Sequence, residues 1–365
     1  MPTSRQRTAI TVVAVIGSLL LLAIVLTLVS PVDSVAWEPP AAPELKGQYA
    51  QNERLLSAGL LAQGKVDGPE DIDVDSLGRV YGGLADGRIV RVLPDGTVED
   101  FANTGGRPLG LEFDDGGNLI VADAFKGLLS VSTGGQITVL ATEAEGVPFG
   151  FTDDVDIAAD GIIYFSDASS KWPQTEYEQD LLESQPYGRL LAYDPRTKTT
   201  RVLLSGLHFA NGVALSSVED FVLVNETWRY RIVRYWLAGE RAGQHEIFVD
   251  NLPGFPDGVS GNRQGTFWVA LASPRKADLD AVHPFPRLKE LMASLPKALR
   301  PRPERYGFVL GLDQNGNVVA NLQDPTGDHL NMITSVEQAD DWLYFGSLTG
   351  DRIGRMKVSE ALAKK

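Results

Sequence analysis

Cysteine is absent from the 365-residue chain, and histidine occurs only four times. The first absence excludes a disulfide framework, a thiolate-held zinc or iron–sulfur site and a cysteine nucleophile. The second leaves little material for a histidine-rich metal centre. Positive charge is also short: 33 lysines and arginines face 48 aspartates and glutamates, a formal balance of −15. Such a surface repels nucleic-acid phosphates, so no nucleic-acid partner is expected. No G-x-S-x-G elbow occurs, which leaves serine-hydrolase chemistry without support. No G-x-G-x-x-G follows a strand pattern, which argues against a nucleotide cofactor.

Long apolar runs are missing too, with one exception. Ala9 to Val29 carries no charge over 21 residues. At about 1.5 Å per residue this spans roughly 31 Å of hydrocarbon. The run is longer than the apolar core of a cleaved signal peptide, and Ser34-Val35-Ala36 is a poor cleavage site. An uncleaved membrane anchor is therefore expected over residues 1–30. Arg5 and Arg7 precede it and Asp33 and Glu38 follow it, so the N-terminus is expected in the cytoplasm and the remainder on the exported side. Pro31, Pro39, Pro40 and Pro43 make residues 31–51 read as a linker.

From residue 52 to 365 short β-branched and aromatic runs alternate with Gly, Asp, Asn and Pro turns, the signature of many short strands. One unit recurs six times: PEDIDVDSLGRVYGG from Pro69, PLGLEFDDGGNLIVAD from Pro108, TDDVDIAADGIIYFSD from Thr152, ANGVALSSVEDFVLVNE from Ala210, PDGVSGNRQGTFWVAL from Pro256 and ITSVEQADDWLYFGSL from Ile333. Further strand-like runs follow each copy. A unit of three or four strands at a spacing of about 40–45 residues describes a propeller blade, so the predicted fold is an all-β six-bladed propeller behind an N-terminal transmembrane helix. Insertions fall near 169–187 and 272–305. The run ERLLSAG from Glu53 is expected to complete the last blade.

In a propeller the innermost strands line a central channel, so equivalent residues of the copies form rings around it. Aligned on Ile72, Leu111, Val155, Val213, Val259 and Val336, the copies carry Glu70, Leu109, Asp153, Asn211, Asp257 and Thr334 two positions earlier. Three carboxylates, an amide and a hydroxyl thus converge. Carboxylates crowded away from water repel one another unless a cation lies between them. An all-oxygen donor set suits Ca²⁺, with Mg²⁺ or Mn²⁺ as alternatives. The predicted metal ligands are Glu70, Asp153, Asn211 and Asp257. Asp71 and Asp154, one residue later in their copies, are read as turn residues, with a second buried cation or the capping of strand ends as alternatives.

At these residues the chain resembles the strictosidine synthase-like family of six-bladed propellers, with adipocyte plasma membrane-associated proteins among its members. More distantly it is similar to gluconolactonase/regucalcin, paraoxonase and diisopropylfluorophosphatase. GRPLGLEFD from Gly106, DDVDIAADGIIYFSDASSKW from Asp153, YGRLLAYDPRTK from Tyr187 and GLHFANGVALS from Gly206 carry the likeness. The resemblance implies a channel metal, usually Ca²⁺, held by a Glu, two Asn-type residues and an Asp, which Glu70, Asn211 and Asp257 match. Asp153 stands where the hydrolytic relatives commonly have Asn, adding one negative charge. The glutamate of the plant synthases is absent, because its neighbourhood reads Ile333-Thr334-Ser335, so synthase-type condensation is disfavoured. Leu109 replaces the histidine of paraoxonases.

The expected activity is metal-dependent hydrolysis of a small-molecule ester or lactone, with Asp257 and then Glu70 as catalytic carboxylates. A non-catalytic, metal-stabilised propeller that binds a partner is the alternative. Leu109, Thr334, His208, His329 and Trp172 are expected in the substrate pocket. Within the second insertion, Leu288, Leu291, Met292 and Leu295 recur at helical spacing, and Arg275 to Arg305 holds eight basic and four acidic residues. An amphipathic lid over the channel, or a membrane contact, is expected there. Asn225-Glu226-Thr227 matches a glycosylation sequon.

Overall fold

The computed structural model describes residues 4–300 and 302–363. They fall into two compact units. The larger comprises Pro40–Thr175, Pro186–Arg275 and Pro303–Lys365, and the smaller comprises Met1–Pro39, Glu176–Gln185 and Lys276–Arg302.

The larger unit is a six-bladed β-propeller of four-stranded antiparallel sheets. The inner strands of blades 1 to 6 are Ile72–Val74, Pro108–Phe113, Thr152–Ile157, Ala210–Leu215, Gly254–Gly261 and Ile333–Ala339. Each touches the next, and the sixth touches the first. Both faces of a blade are buried, so its strands read as continuous apolar runs. In blade 4, Val222 and Val224 pack toward blade 3 while Phe221 and Leu223 pack toward blade 5. This two-residue alternation repeats around the ring and gives every interface between blades its own apolar cluster. Hairpin turns are held locally: the Asp114 carboxylate accepts from the Asn118 backbone N–H at 2.8 Å and from its side-chain amide at 2.9 Å.

Closure uses the chain's two ends, as the repeat pattern predicts, but a few residues later than Glu53. Arg54–Ser57 forms a 3₁₀ turn that buries Leu55, and Gly59–Leu61 pairs with Ile353–Arg355 as the outer strand of blade 6. The preceding Pro-rich stretch is tied down rather than free. Asn251 donates to the Ala41 carbonyl at 2.9 Å, and the buried Gln323 amide donates to the Tyr49 carbonyl at 3.2 Å.

Successive inner strands approach closely at glycines. A Cβ added to Gly212 of blade 4 would stand 2.3 Å from the Val259 backbone nitrogen of blade 5 and 2.5 Å from the Asp257 carbonyl oxygen. Gly110 and Gly258 make the same approach to blades 3 and 6. Backbone cannot yield as a flexible side chain does. Gly212→Ala is therefore expected to destabilise the propeller by about 1–3 kcal/mol, read as a lowered denaturation midpoint. An unchanged midpoint would show that the ring tolerates expansion.

The smaller unit contains helix α1 (Ser4–Leu28), helix α2 (Tyr177–Glu183) of the first insertion, and helices α3 (Ala277–Val282) and α4 (Pro286–Ala293) of the second. Within it, the extended segment after α1 is woven into both insertions. Val35 N–H donates to the Glu183 carbonyl, Trp37 N–H to that of His283, and the Trp37 and His283 rings meet edge to face at 4.9 Å. Ile10–Leu28 is long and apolar enough to cross a membrane.

Candidate functional site in the propeller channel

The ladder between first and second strands is irregular near the start of the inner strand in blades 2 to 6: Pro108/Leu111, Thr152/Val155, Ala210/Val213, Pro256/Val259 and Ile333/Ser335. A bulge re-aims side chains that would otherwise alternate across the strand. Consecutive residues therefore line the channel together, Asp153 with Asp154 and, ahead of the blade 1 strand, Glu70 with Asp71. This corrects the reading of Asp71 and Asp154 as turn residues. They are brackets between blades: Asp71 accepts from the Leu111 N–H of blade 2, and Asp154 from the Val213 N–H of blade 4 at 2.7 Å. Asp73 and Asp156 repeat the bond one step further down, to Phe113 and Leu215.

The predicted ring is assembled above these brackets. Glu70, Asp153 and Asn211 are buried and line the same cavity of about 190 Å³. The Asn211 amide donates to Asp257 Oδ1 at 2.6 Å, and the Thr334 hydroxyl donates to the Glu70 carbonyl at 2.8 Å. Asp257 is held from behind as well. The fully buried Asn225 donates to its carbonyl at 2.5 Å, and the Thr227 hydroxyl to that of Pro256 at 2.7 Å. Asn225, the asparagine of the sequon match, thus supports the Asp257 backbone and is fully buried in the folded chain.

Burial, followed by repulsion from Asp257 and Asp71, pushes the Glu70 carboxyl well above the usual range. Asp153 is raised likewise by burial and then by Glu70 and Asp257. Burial pushes Asp257 up to about 7, against the lowering effect of the Asn211 bond. One cation in the chain partly offsets this charge. The buried Arg107 guanidinium, which lowers the Glu70 value, donates to the carbonyls of Gly68 at 2.9 Å and Gly83 at 3.3 Å. Arg107 was missed in the sequence, although it stands two residues before Leu109 in the same repeat register.

The donor set is entirely oxygen, and Asp153 Oδ2 is buried without a hydrogen-bond partner. Among the described residues, however, no three Asp, Glu or His side chains are gathered into a formed metal site. Three of the four predicted ligands, Glu70, Asp153 and Asn211, line one cavity, Asp257 is bonded to the third, and the repulsion among the carboxylates is unrelieved.

A pH dependence follows. Asp71 is raised to about 6, and Asp73 and Asp257 to about 7, chiefly by burial. In the unfolded chain such groups titrate near pH 4. Between about pH 4 and 7 the folded chain holds more protons than the unfolded one, so stability falls as the pH rises through that window. Carboxylates held low, such as Glu226 and Asp324, act in the opposite sense, and their effect lies toward the acid end of this range. In chelator, the urea midpoint is expected to be lower at pH 7.5 than at pH 5.5, and the opposite order would contradict an uncompensated channel.

The remaining predicted pocket residues scatter. Leu109 is buried and Thr334 lines the cavity. His208 Nδ1 lies 3.2 Å from the buried Glu226 carboxylate, which also takes the His208 N–H and the Arg231 guanidinium. Burial works against the Glu226 charge, but these bonds outweigh it, while burial lowers the His208 value. His329 Nε2 instead meets the Ala58 carbonyl at 2.7 Å, beside the closing strand. Trp172 and Tyr187 sandwich the Lys171 ammonium, at 5.0 and 5.1 Å.

The family model for strictosidine synthase matches residues 153–240, and that for the N-terminal part of strictosidine synthase-like proteins matches residues 47–92. Over 344 residues the chain is 38% identical to protein strictosidine synthase-like 4 of Arabidopsis thaliana, covering 92% of this chain and 90% of that protein. The chain belongs to the strictosidine synthase-like family. Within that family it is also 35% identical to the adipocyte plasma membrane-associated protein of Rattus norvegicus, covering 93% of this chain and 96% of the relative. Among solved structures it is similar to a gluconolactonase of Xanthomonas campestris (TM-score 0.61, 17% identity, 90% and 99% of the two chains). A calcium-binding regucalcin of Agrobacterium tumefaciens is similar as well (TM-score 0.57, 14% identity, 82% and 93%). These two likenesses are of fold.

Proposed function

We propose that this family member hydrolyses an ester or lactone at the channel ring, with a divalent cation, Ca²⁺ by its preference for oxygen donors, held by Glu70, Asp153, Asn211 and Asp257. The observation that carries the reading is the buried acidic ring with an unpartnered Asp153 oxygen. When bound, the cation supplies polarisation of the substrate carbonyl and offsets the ring's charge. Asp257 takes a proton from water as the water oxygen adds to the carbonyl carbon, and returns that proton to the alcohol oxygen as the carbon–oxygen bond to the alcohol breaks. Asn225 and Thr227 fix the backbone on which Asp257 turns. Thr334 in place of a carboxylate speaks against synthase-type condensation.

The test is turnover of phenyl acetate and a simple lactone, lost on exhaustive chelation and restored by added Ca²⁺. Turnover that survives chelation would remove the cation from the reading. The bonds from Asp71 and Asp154 to neighbouring blades favour a second reading, a scaffold whose cation serves stability. Chelation that lowers the melting temperature with no turnover on any ester or lactone would select it. For the N-terminal part, the proposal is a single span by α1 with Arg5 and Arg7 on the cytoplasmic side and the propeller exported.

A further inference from the structure

Helix α4 buries two of its charges and exposes a leucine. A helix on a water-soluble body buries its apolar residues and shows its charges. In α4, Lys289 is wholly buried and Glu290 nearly so, while Leu288 is 41% exposed and Phe285, the residue just before the helix, is 59% exposed. The buried charges are fully engaged inside the smaller unit. Lys289 Nζ donates to the Val35 carbonyl at 2.6 Å and to the Ser184 hydroxyl at 2.8 Å, and Glu290 pairs with Arg287 at 2.8 Å. The sequence pattern predicts an amphipathic helix here, as a lid or as a membrane contact, and in the structure Leu288 is exposed. The reason is that the segment after α1 and the turn after α2 present a carbonyl and a hydroxyl to α4, and a lysine answers them better than a leucine.

The end of α4 is also tied to the end of the apolar helix. The Ser294 hydroxyl donates to the Leu26 carbonyl at 2.8 Å, two residues before α1 ends at Leu28. At about 1.5 Å per residue this places the tie roughly 3 Å from the end of the 19-residue apolar stretch Ile10–Leu28. A bilayer entered by α1 therefore has its boundary at the level of α4. Arg287 stands beside Leu288 with a largely exposed side chain, at the depth where headgroup phosphates lie.

From this we infer that α4 is a second membrane contact: an interfacial helix that lays Phe285 and Leu288 into the lipid boundary crossed by α1. The inference rests on the reading of α1 as a span. Its occupant is the bilayer because only a lipid boundary is continuous with the exposed end of α1, and because an outward apolar face joined to inward charges suits an apolar surrounding.

The cysteine-free chain makes the test clean. Single cysteines are introduced in the full-length protein by Phe285→Cys, Leu288→Cys, Val15→Cys in α1 and Val218→Cys on an exposed turn of blade 4, each labelled with an environment-sensitive fluorophore and reconstituted in phosphatidylcholine vesicles. Spin-labelled lipid is expected to quench the labels at 285 and 288 at least twofold more than the label at 218, and aqueous iodide to do the reverse. Labels at 285 and 288 as open to iodide as that at 218 would overturn the inference, whatever the label at 15 reports. Labels shielded from both quenchers would also overturn it, by assigning the face to a protein, a second copy of the chain included. Lipid quenching at 285 and 288 without quenching at 15 would sustain the contact and remove the span. A melting temperature within 2 °C of the parent's admits each variant, and the two positions at α4 serve as independent probes.

Discussion

Asp257→Asn is expected to lower turnover of the ester or lactone by about 10²–10⁴-fold, the usual contribution of a positioned general base. The substitution keeps the shape and the oxygen that accepts from Asn211, so the local geometry survives. It removes one of three mutually repelling carboxylates, since Asp257 raises both Glu70 and Asp153. In chelator at neutral pH the variant is therefore expected to be more stable than the parent. Activity and stability moving in opposite directions is the pattern of a strained functional site. Parallel measurements of turnover and urea midpoint check it. A variant that keeps its activity, or loses stability along with activity, would move Asp257 from the chemistry to the framework.

Arg189→Met is expected to destabilise the propeller by about 3–5 kcal/mol, a fall in melting temperature on the order of 10 °C. Asp167 is fully buried at the end of the second strand of blade 3. It accepts from the N–H groups of Gly150 and Phe151 at 3.0 and 2.9 Å, and from Arg189 Nε and Nη2 at 3.0 and 2.6 Å. Burial raises the Asp167 carboxyl, and Arg189 is the largest influence that opposes it. Without the guanidinium, a carboxylate is left in the interior with two backbone donors. Adding Asp167→Asn removes that charge, so the double variant is expected to regain part of the loss, and strict additivity of the two single effects would deny the coupling. Thermal melts of the three variants decide the matter.

Asp167 also illustrates what a repeat can reveal. Asp123, Asp167 and Glu226 end the second strands of blades 2, 3 and 4, and each accepts from a backbone N–H just ahead of its own inner strand: Arg107, Phe151 and His208. Three of the six copies carried that signal, and the repeat as a whole carried the positions of Glu70, Asp153, Asn211 and Asp257, because blade symmetry turns spacing in the chain into position around an axis. The bulge in blade 3 broke the inference for Asp154. A bulge adds one unpaired residue without altering the run of apolar types, and strict alternation then sends the wrong side chain to the channel. Arg107 escaped because a search for crowded carboxylates asks for an external cation before an internal one. The burial of charge in α4 lay beyond any local pattern, since it depends on what the segment around Val35 and Ser184 presents to Lys289.

The pairing of Gly59–Leu61 with Ile353–Arg355 joins residues made almost 300 positions apart. At common rates of synthesis the first strand exists for roughly 15–60 s before its partner emerges. Until then five blades can form in order, but the sixth lacks its outer edge. The nascent chain therefore behaves as a linear array able to fray from either end. The finished molecule has no end from which to fray, and opening it requires this one seam to part. Resistance to unfolding should thus arrive abruptly with the last residues synthesised, and hydrogen exchange throughout the ring should slow together when the seam closes.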